Sequence, residues 1–142
     1  MHKHKRQLLA SLVVVGVHLA LGGKHRNAQL AYLTKLLREY RYVVIMGDFN
    51  CQDTSKPIKF LLDHFMNAAY SATHVQIDIN PSAPNKGTFN GFAKNAEQAG
   101  PTIDYIFVKN LNVDTYWVDR TTRGPGLYLS DHYPVMTYLV FQ

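Results

Sequence analysis

The chain has 142 residues, of which 46% are hydrophobic and 18% are charged, and this is enough for one ordinary domain with a hydrophobic core. The formal net charge of +5 favours anionic partners such as phosphates, nucleic acid or lipid headgroups, although simple solubility explains a mild basic excess equally well. Because Cys51 is the single cysteine, the composition excludes an intrachain disulfide and a cysteine-based zinc site.

The N-terminal region has two interpretations. A basic start precedes an apolar run over residues 8–21, and the small residues Ala20 and Gly22 complete the outline of a secretory signal peptide. The run is too short to predict a transmembrane helix. Its valine-rich centre is also typical of a buried strand over residues 12–19, because valine favours β-structure. The residues of this region alone leave both interpretations open.

Strand and helix signals alternate in the first half of the chain, and strands follow in the second half. Apolar residues recur at helical spacing through residues 22–40. A second helix is indicated by Ser55 as its cap and Pro57 in its first turn, with an apolar stripe that reaches Met66. The predicted strands lie at residues 12–19, 42–47, 75–79, 88–92, 102–108, 112–118 and 135–141. This order predicts an α/β fold in which helices cover a mixed sheet.

Polar side chains stand where three of the predicted strands meet loops. Asp48 and Asn50 end the second long strand and, two residues apart in extended backbone, point the same way. Asp104 lies near the start of a later strand, and Asp131 and His132 directly precede the last one. Loops at the ends of strands are where α/β proteins build their sites. We therefore expect these five residues to share a site.

Each of these fragments also has a purely structural explanation. Asp48 and Asn50 could make turn hydrogen bonds, Asp104 could be a cap or a surface acid, and His132 could be a structural histidine. Together, three acids, an amide and an imidazole suit metal-assisted attack on a phosphate ester. Carboxylates are hard ligands for Mg²⁺, and an acid beside a histidine orients the ring and favours its charged form.

In this order, the stretches "VHLAL", "GDFN", "IDYIFV" and "SDHYPV" resemble the C-terminal half of the endonuclease/exonuclease/phosphatase superfamily. The resemblance extends from about residue 12 to residue 140, and the stretch "GTFNGF" at 87–92 resembles bacterial members, as do Arg26 and Gln29. It implies half of a four-layer α/β sandwich of the DNase I-like type, with a mixed sheet and helices on one face. Residues 1–142 would form a single partial domain without its N-terminal half.

The same resemblance implies a metal-dependent phosphoester hydrolase that uses Mg²⁺ or Mn²⁺, with a phosphodiester as the favoured substrate. The substrates of the superfamily include DNA, RNA, phospholipid headgroups and inositol phosphates, so the substrate could be nucleic acid. Asp48 would orient or deprotonate the attacking water, and Asn50 would position that water and hold the phosphate. Asp131 would be a metal ligand.

The resemblance also implies a role for two histidines. His132, oriented by Asp104, would contact the scissile phosphate and stabilise the developing charge, and His18 would contact the phosphate from the other side. One departure from the family pattern lies beside His18, because Gly16 stands where the family has an asparagine.

A larger departure from the family pattern is the missing N-terminal half of the domain. In the family, that half supplies a glutamate as the main metal ligand. A lone half would expose an apolar sheet face, so we expect the chain to dimerise, to associate with the missing N-terminal half, or to be poorly soluble. The alternative function is a catalytically inactive fragment that acts as a binding or assembly module.

The resemblance also bears on the N-terminal region. It aligns residues 12–19 with a family strand, which favours a strand, no transmembrane segment and a cytoplasmic protein. Secretion, as a binding protein with a cleaved leader, is the alternative if residues 1–22 act as a signal peptide.

Overall fold

The structure, a computed structural model, describes residues 11–75, 87–93, 100–124 and 126–142. Strands and helices alternate at the start of the chain and strands dominate its end, as the sequence predicts. In chain order the elements are β1 (Leu12–His18), α1 (Gly23–Leu37), β2 (Tyr42–Asp48), α2 (Lys56–Leu62), β3 (Met66–Asn67), α3 (Ala68–Ser71), β4 (His74–Val75), β5 (Asp104–Lys109), β6 (Leu111–Val118) and β7 (Val135–Phe141).

The first sheet contains four strands in the order β1-β2-β5-β3. β1 and β2 are parallel and are connected through α1, whereas β5 runs antiparallel to β2. The predicted mixed sheet is therefore confirmed. β2 is a central strand, and its first four residues, 42–45, are buried without alternation because both faces of the sheet are covered there.

The two longer helices cover one face of the first sheet. The core on this face joins apolar residues of α1 and α2 to alternate residues of the strands, and its fully buried members include Leu30, Leu37, Ile45, Ile58, Leu61 and Phe107. Val13, Val15 and Val17 of β1 pack partly buried against this core. Residues 12–18 thus form a strand of the folded domain, as the strand interpretation of the N-terminal region predicts.

A second sheet covers the opposite face. Its three strands have the order β4-β6-β7, and its residues Leu111, Val113 and Tyr116 share a core with Val44 and Ile106 of the first sheet. The sequence predicts these strands but not their separation into a second sheet. The described residues therefore form a layer of helices, a mixed sheet and a smaller sheet, which agrees with the predicted α/β class.

Three boundaries differ from the predictions. α2 ends at Leu62, and Met66 belongs to the short strand β3. The next helix, α3, begins because the side chain of Asn67 caps it by accepting a hydrogen bond from the Ala69 N–H at 2.9 Å. The strand predicted at 88–92 is a single bridge between Phe89 and His132. The strand predicted at 75–79 begins in β4, but residues 76–79 lie outside the described residues.

One face of the edge strand β1 remains uncovered. Leu12 and Val14 on β1 and Met46 on the neighbouring β2 are 41%, 52% and 42% exposed. No described helix is long and apolar enough to cross a membrane. The exposed strip continues along β1 and β2 to their C-terminal residues, where the candidate site begins.

Candidate active site

The candidate site starts as a row of three side chains across one end of the first sheet. The strand register places His18 of β1 beside Asp48 of β2, and Asp48 beside Asp104 of β5. Since directly opposed residues on neighbouring strands lie on the same face, the three side chains lie close together. The Nε2 atom of His18 is 3.5 Å from Oδ2 of Asp48. Strand pairing therefore assembles residues that the sequence keeps far apart.

Gly47 lets β1 and β2 approach closely beside this row. Its φ is +134°, and a Cβ atom at this position would lie 2.0 Å from the carbonyl oxygen of Val17. Any other residue would be strained in this backbone conformation and would also clash with β1. The glycine that precedes Asp48 is therefore required by the packing of the strand ends.

His132 joins the row from the loop before β7. Its Nδ1 atom is 2.8 Å from Oδ2 of Asp104, and its Nε2 atom is 4.0 Å from Oδ2 of Asp48. Burial acts to lower the pKa of His132, but the hydrogen bond to Asp104 and the negative charges of Asp104, Asp48 and Asp131 raise its pKa above the ordinary value. The Asp104 carboxylate thus orients the His132 ring, and the Nε2 atom of the ring points towards the Asp48 carboxylate.

Asn50 is held in a conformation that places it against β1. Its φ is +51°, in the left-handed region that asparagine tolerates better than most residues. Its backbone N–H donates to Oδ1 of Asp48 at 2.7 Å, and its side-chain nitrogen donates to the carbonyl oxygen of Leu19 at 2.7 Å. Asp48 and Asn50 therefore form one hydrogen-bonded unit at the end of β2.

Arg26 of α1 braces the loops on either side of this unit. Its Nη1 atom donates to the carbonyl oxygens of Ala20, Leu21 and Asn50 at 3.0, 2.9 and 2.8 Å. Gln29, one turn further along α1, accepts the Ala20 N–H at 3.0 Å. In the sequence, Arg26 and Gln29 are indicated only by the family resemblance. Their contacts are with backbone groups of distant residues, which no local sequence pattern predicts.

Asp131 lies beside His132 and has a different environment from the other acids. Its backbone carbonyl accepts the N–H groups of Asn90 and Gly91 at 2.7 and 3.0 Å. Its carboxylate accepts a hydrogen bond from the Ser130 hydroxyl, which is 3.3 Å from Oδ1. Asp131 is half-buried, and its carboxylate contributes to the charge around the His132 ring.

The oxygen donors of this site fit a hard divalent cation. Among the described residues, Asp48, Asp104 and His132 form a group whose potential ligand atoms all lie within 4.8 Å of one another. Carboxylate oxygens are the preferred protein ligands of Mg²⁺ and Mn²⁺. Asp131, the predicted metal ligand, is not a member of this group.

Two residues next to the site were not singled out from the sequence. Thr88 donates its hydroxyl to Oδ2 of Asp104 at 2.6 Å, and the ring of Phe89 packs edge-on against the His132 ring with centroids 5.0 Å apart. Both belong to the stretch "GTFNGF", and the resemblance of that stretch to family members is the feature of the sequence that could have indicated them as site residues.

Solved structures share this fold. The chain is 25% identical to a functionally unknown conserved protein from Enterococcus faecalis V583, with a TM-score of 0.73 over 91% of this chain and 50% of that one. It is 26% identical to an endonuclease/exonuclease/phosphatase from Bacteroides vulgatus, with a TM-score of 0.70 over 85% of this chain and 46% of that one. An endonuclease/exonuclease/phosphatase family protein from Bacteroides thetaiotaomicron is 24% identical, with a TM-score of 0.74 over 91% and 49%.

The chain therefore spans about half the length of the solved structures it matches. No curated protein matches it at a significant level. A family model does match, over residues 9–132, and this range includes every residue of the site described above. The chain belongs to the endonuclease/exonuclease/phosphatase family.

Proposed function

We propose that this chain carries part of the active site of a metal-dependent phosphoester hydrolase, with a phosphodiester as the favoured substrate. Family membership supports phosphoester chemistry in general. The observation that carries the proposal is the pairing of His132 with Asp104 at 2.8 Å, with the free ring nitrogen turned towards Asp48. An imidazole that can donate a proton and a carboxylate that can accept one then lie side by side, as attack of water on a phosphate requires.

Asp48 has the geometry of the group that activates the water. Its Oδ1 atom is occupied by the Asn50 N–H at 2.7 Å, which fixes the carboxylate. Among the described residues, its Oδ2 atom has the longer contacts of 3.5 and 4.0 Å with His18 and His132. In the proposed reaction this oxygen orients the water or takes its proton, while Asn50 holds the water and the phosphate.

The two histidines would stabilise negative charge from opposite sides of the phosphate. His132 is protonated more readily than an ordinary histidine because carboxylates surround it, so it can donate from Nε2 to a phosphate oxygen. The side chain of His18 is 79% exposed, which leaves it open to a ligand above Asp48. Hydrogen-bond donors placed where charge develops supply the largest contribution to such reactions.

Asp131 would be a ligand of the cation in this proposal. When bound, Mg²⁺ or Mn²⁺ would neutralise part of the negative charge of the phosphate. Asp104 is less suited to that role, because its Oδ2 atom already accepts hydrogen bonds from His132 and from the Thr88 hydroxyl. Its task in the proposal is to orient the imidazole.

The experiment is turnover of a generic substrate, bis(p-nitrophenyl) phosphate, with Mg²⁺, with Mn²⁺ and with a chelator. We expect turnover only with metal, and its loss in Asp48→Ala and His132→Ala. His64→Ala serves as the matched control, because His64 is exposed just beyond α2, where its ring packs against Phe60. Metal-independent turnover, or turnover that survives both site substitutions, would refute the proposal.

A second candidate function is a catalytically inactive module that binds or assembles. The observation that favours it is that Asp131, the predicted metal ligand, does not belong to the group of potential metal ligands found among the described residues. Absence of both Mg²⁺ binding and turnover in the folded chain, with its site residues intact, would favour this candidate over the enzyme.

We further infer that the uncovered face of β1 is covered in the working protein. The exposed Leu12, Val14 and Met46 suit the apolar face of another sheet, either from a second copy of the chain or from another protein segment. Because β1 is part of the domain core, cleavage at 20–22 would remove it. We therefore propose that residues 12–18 are retained and that the protein acts in the cytoplasm.

A further inference from the structure

We propose that Thr88 is a positioning residue of this site, and that its buried hydroxyl fixes the Asp104 carboxylate and, through it, the His132 ring. The inference rests on the proposed function, because it concerns the same site. Neither the sequence motifs nor the family match assigns a role to Thr88, which lies in a loop between residues that are not described.

The hydrogen bonds of the Thr88 hydroxyl determine where its proton points. Oγ1 lies 3.0 Å from the backbone nitrogens of both Ile103 and Asp104, and these N–H groups can only donate. A hydroxyl has one proton to donate and two lone pairs to accept with. Both lone pairs are therefore used, and the proton must be directed at the remaining partner, Oδ2 of Asp104 at 2.6 Å.

This donation leaves the Asp104 carboxylate in one orientation. The same oxygen, Oδ2, accepts from the Thr88 hydroxyl at 2.6 Å and lies 2.8 Å from Nδ1 of His132. The Asp104 backbone is also held, because it pairs with Asp48 across the sheet. Thr88 is 1% exposed, so water cannot easily replace its hydroxyl if that hydroxyl is removed.

The loop that carries Thr88 also holds the loop that carries His132. The Thr88 carbonyl accepts the Tyr133 N–H at 2.7 Å, and the Asn90 N–H donates to the Asp131 carbonyl at 2.7 Å. These two bonds lie on either side of His132 in the chain. Thr88 thus contacts Asp104 through its side chain and the loop that carries His132 through its backbone. These contacts fix the position of Asp104 relative to His132.

The test compares Thr88→Val, which removes the hydroxyl at nearly constant volume, with Thr88→Ser, which retains it. Thr115→Val is the matched control, because Thr115 is also a buried threonine that donates to an aspartate, Asp114, at 2.7 Å, but it lies on β6 in the second sheet. The first readout is the Nδ1–H resonance of His132 in histidine-labelled protein at one fixed pH, identified by its loss in His132→Ala.

We expect the resonance in the wild type, Thr88→Ser and Thr115→Val, and its loss through exchange with water in Thr88→Val. The second readout is kinetic. Residues that orient metal ligands typically contribute about 10- to 100-fold to activity. By analogy, we expect kcat to fall by about tenfold in Thr88→Val with KM nearly unchanged. Thr88→Ser should restore most of kcat.

An unchanged Nδ1–H resonance in Thr88→Val would overturn the inference. A Thr88→Ser variant that is as impaired as Thr88→Val would also overturn it, because the effect would then come from packing and not from the hydroxyl. If Thr88→Val does not fold, Thr88→Cys replaces it, because a thiol is a much weaker donor and acceptor of similar size. If the resonance behaves as expected but the wild type hydrolyses no phosphoester, the positioning role stands and the proposed function fails. If the wild type hydrolyses the phosphoester but the Nδ1–H resonance is unchanged in Thr88→Val, the proposed function stands and the positioning role fails.

Discussion

Asp48 and Asp104 are neighbouring carboxylates whose hydrogen-bond partners separate their roles. Asp48 is held at one oxygen by the Asn50 N–H, and its other oxygen lies 3.5 and 4.0 Å from the Nε2 atoms of His18 and His132. Asp104 instead accepts from Thr88 and His132 at a single oxygen. In the proposed function, the same residue type would therefore activate water in one position and orient an imidazole in the other, because the hydrogen-bond partners differ.

A residue-scale prediction concerns Tyr70, whose hydroxyl donates to Oδ2 of Asp53 at 2.7 Å. This hydrogen bond, with smaller contributions from burial and from the Asp53 charge, raises the pKa of Tyr70 from 10.0 to about 12. The protonated phenol is favoured in the folded state, so its stabilising effect is complete below pH 10 and is lost as the pH rises through 12.

Urea denaturation of the wild type and Tyr70→Phe at a series of pH values measures this effect. We expect the wild type to be the more stable protein at pH 8, and the difference to shrink between pH 10 and pH 12. A difference that stays constant across this window would contradict the assignment of the pKa shift to the Asp53 contact.

At the scale of elements, the site depends on how closely the ends of β1 and β2 approach. Gly47 has a φ of +134° and leaves no room for a Cβ atom beside the Val17 carbonyl. We expect Gly47→Ala to lower the free energy of unfolding by more than about 2 kcal/mol, because it combines a strained backbone with a clash against β1. Chemical denaturation measures the change.

Gly16→Ala is the matched control for this prediction. Gly16 lies on β1, and a Cβ atom there would have nothing within 4 Å, so a cost below about 1 kcal/mol is expected. Equal effects of the two substitutions would show that the close approach at Gly47 is not what limits stability. The comparison therefore separates a general glycine effect from the specific packing of the strand ends.

At the scale of the whole molecule, the uncovered face of β1 should govern association. Edge strands with exposed apolar side chains pair readily with other chains. We expect the wild type to associate or aggregate in light scattering, and Val14→Lys to shift it towards the monomer, because Val14 is 52% exposed at the centre of this face. Tyr32→Lys, at a 70% exposed position on α1, should leave the association unchanged. A monodisperse wild-type monomer would contradict the prediction.

Much of the fold followed from local patterns in the sequence. The boundaries of β2, β6 and β7 agree with the predicted strands to within one residue, because continuous or alternating apolar runs bounded by polar residues are a local signal. The short β3 and α3 were missed, since two- and four-residue elements have no periodicity to detect. Their position depends on pairing with β5 and on the Asn67 cap, and both are contacts rather than patterns.

Short contiguous stretches of residues are sufficient to predict the α/β class, the family and the polar residues at the strand ends. The side-by-side placement of His18, Asp48 and Asp104 depends instead on the folded chain, since strand register is set by long-range pairing. The contact between Thr88 and Asp104 also depends on the folded chain, which joins residues from separate segments. Hydrogen-bond partners are chosen by geometry in the folded state, which no local stretch of residues encodes.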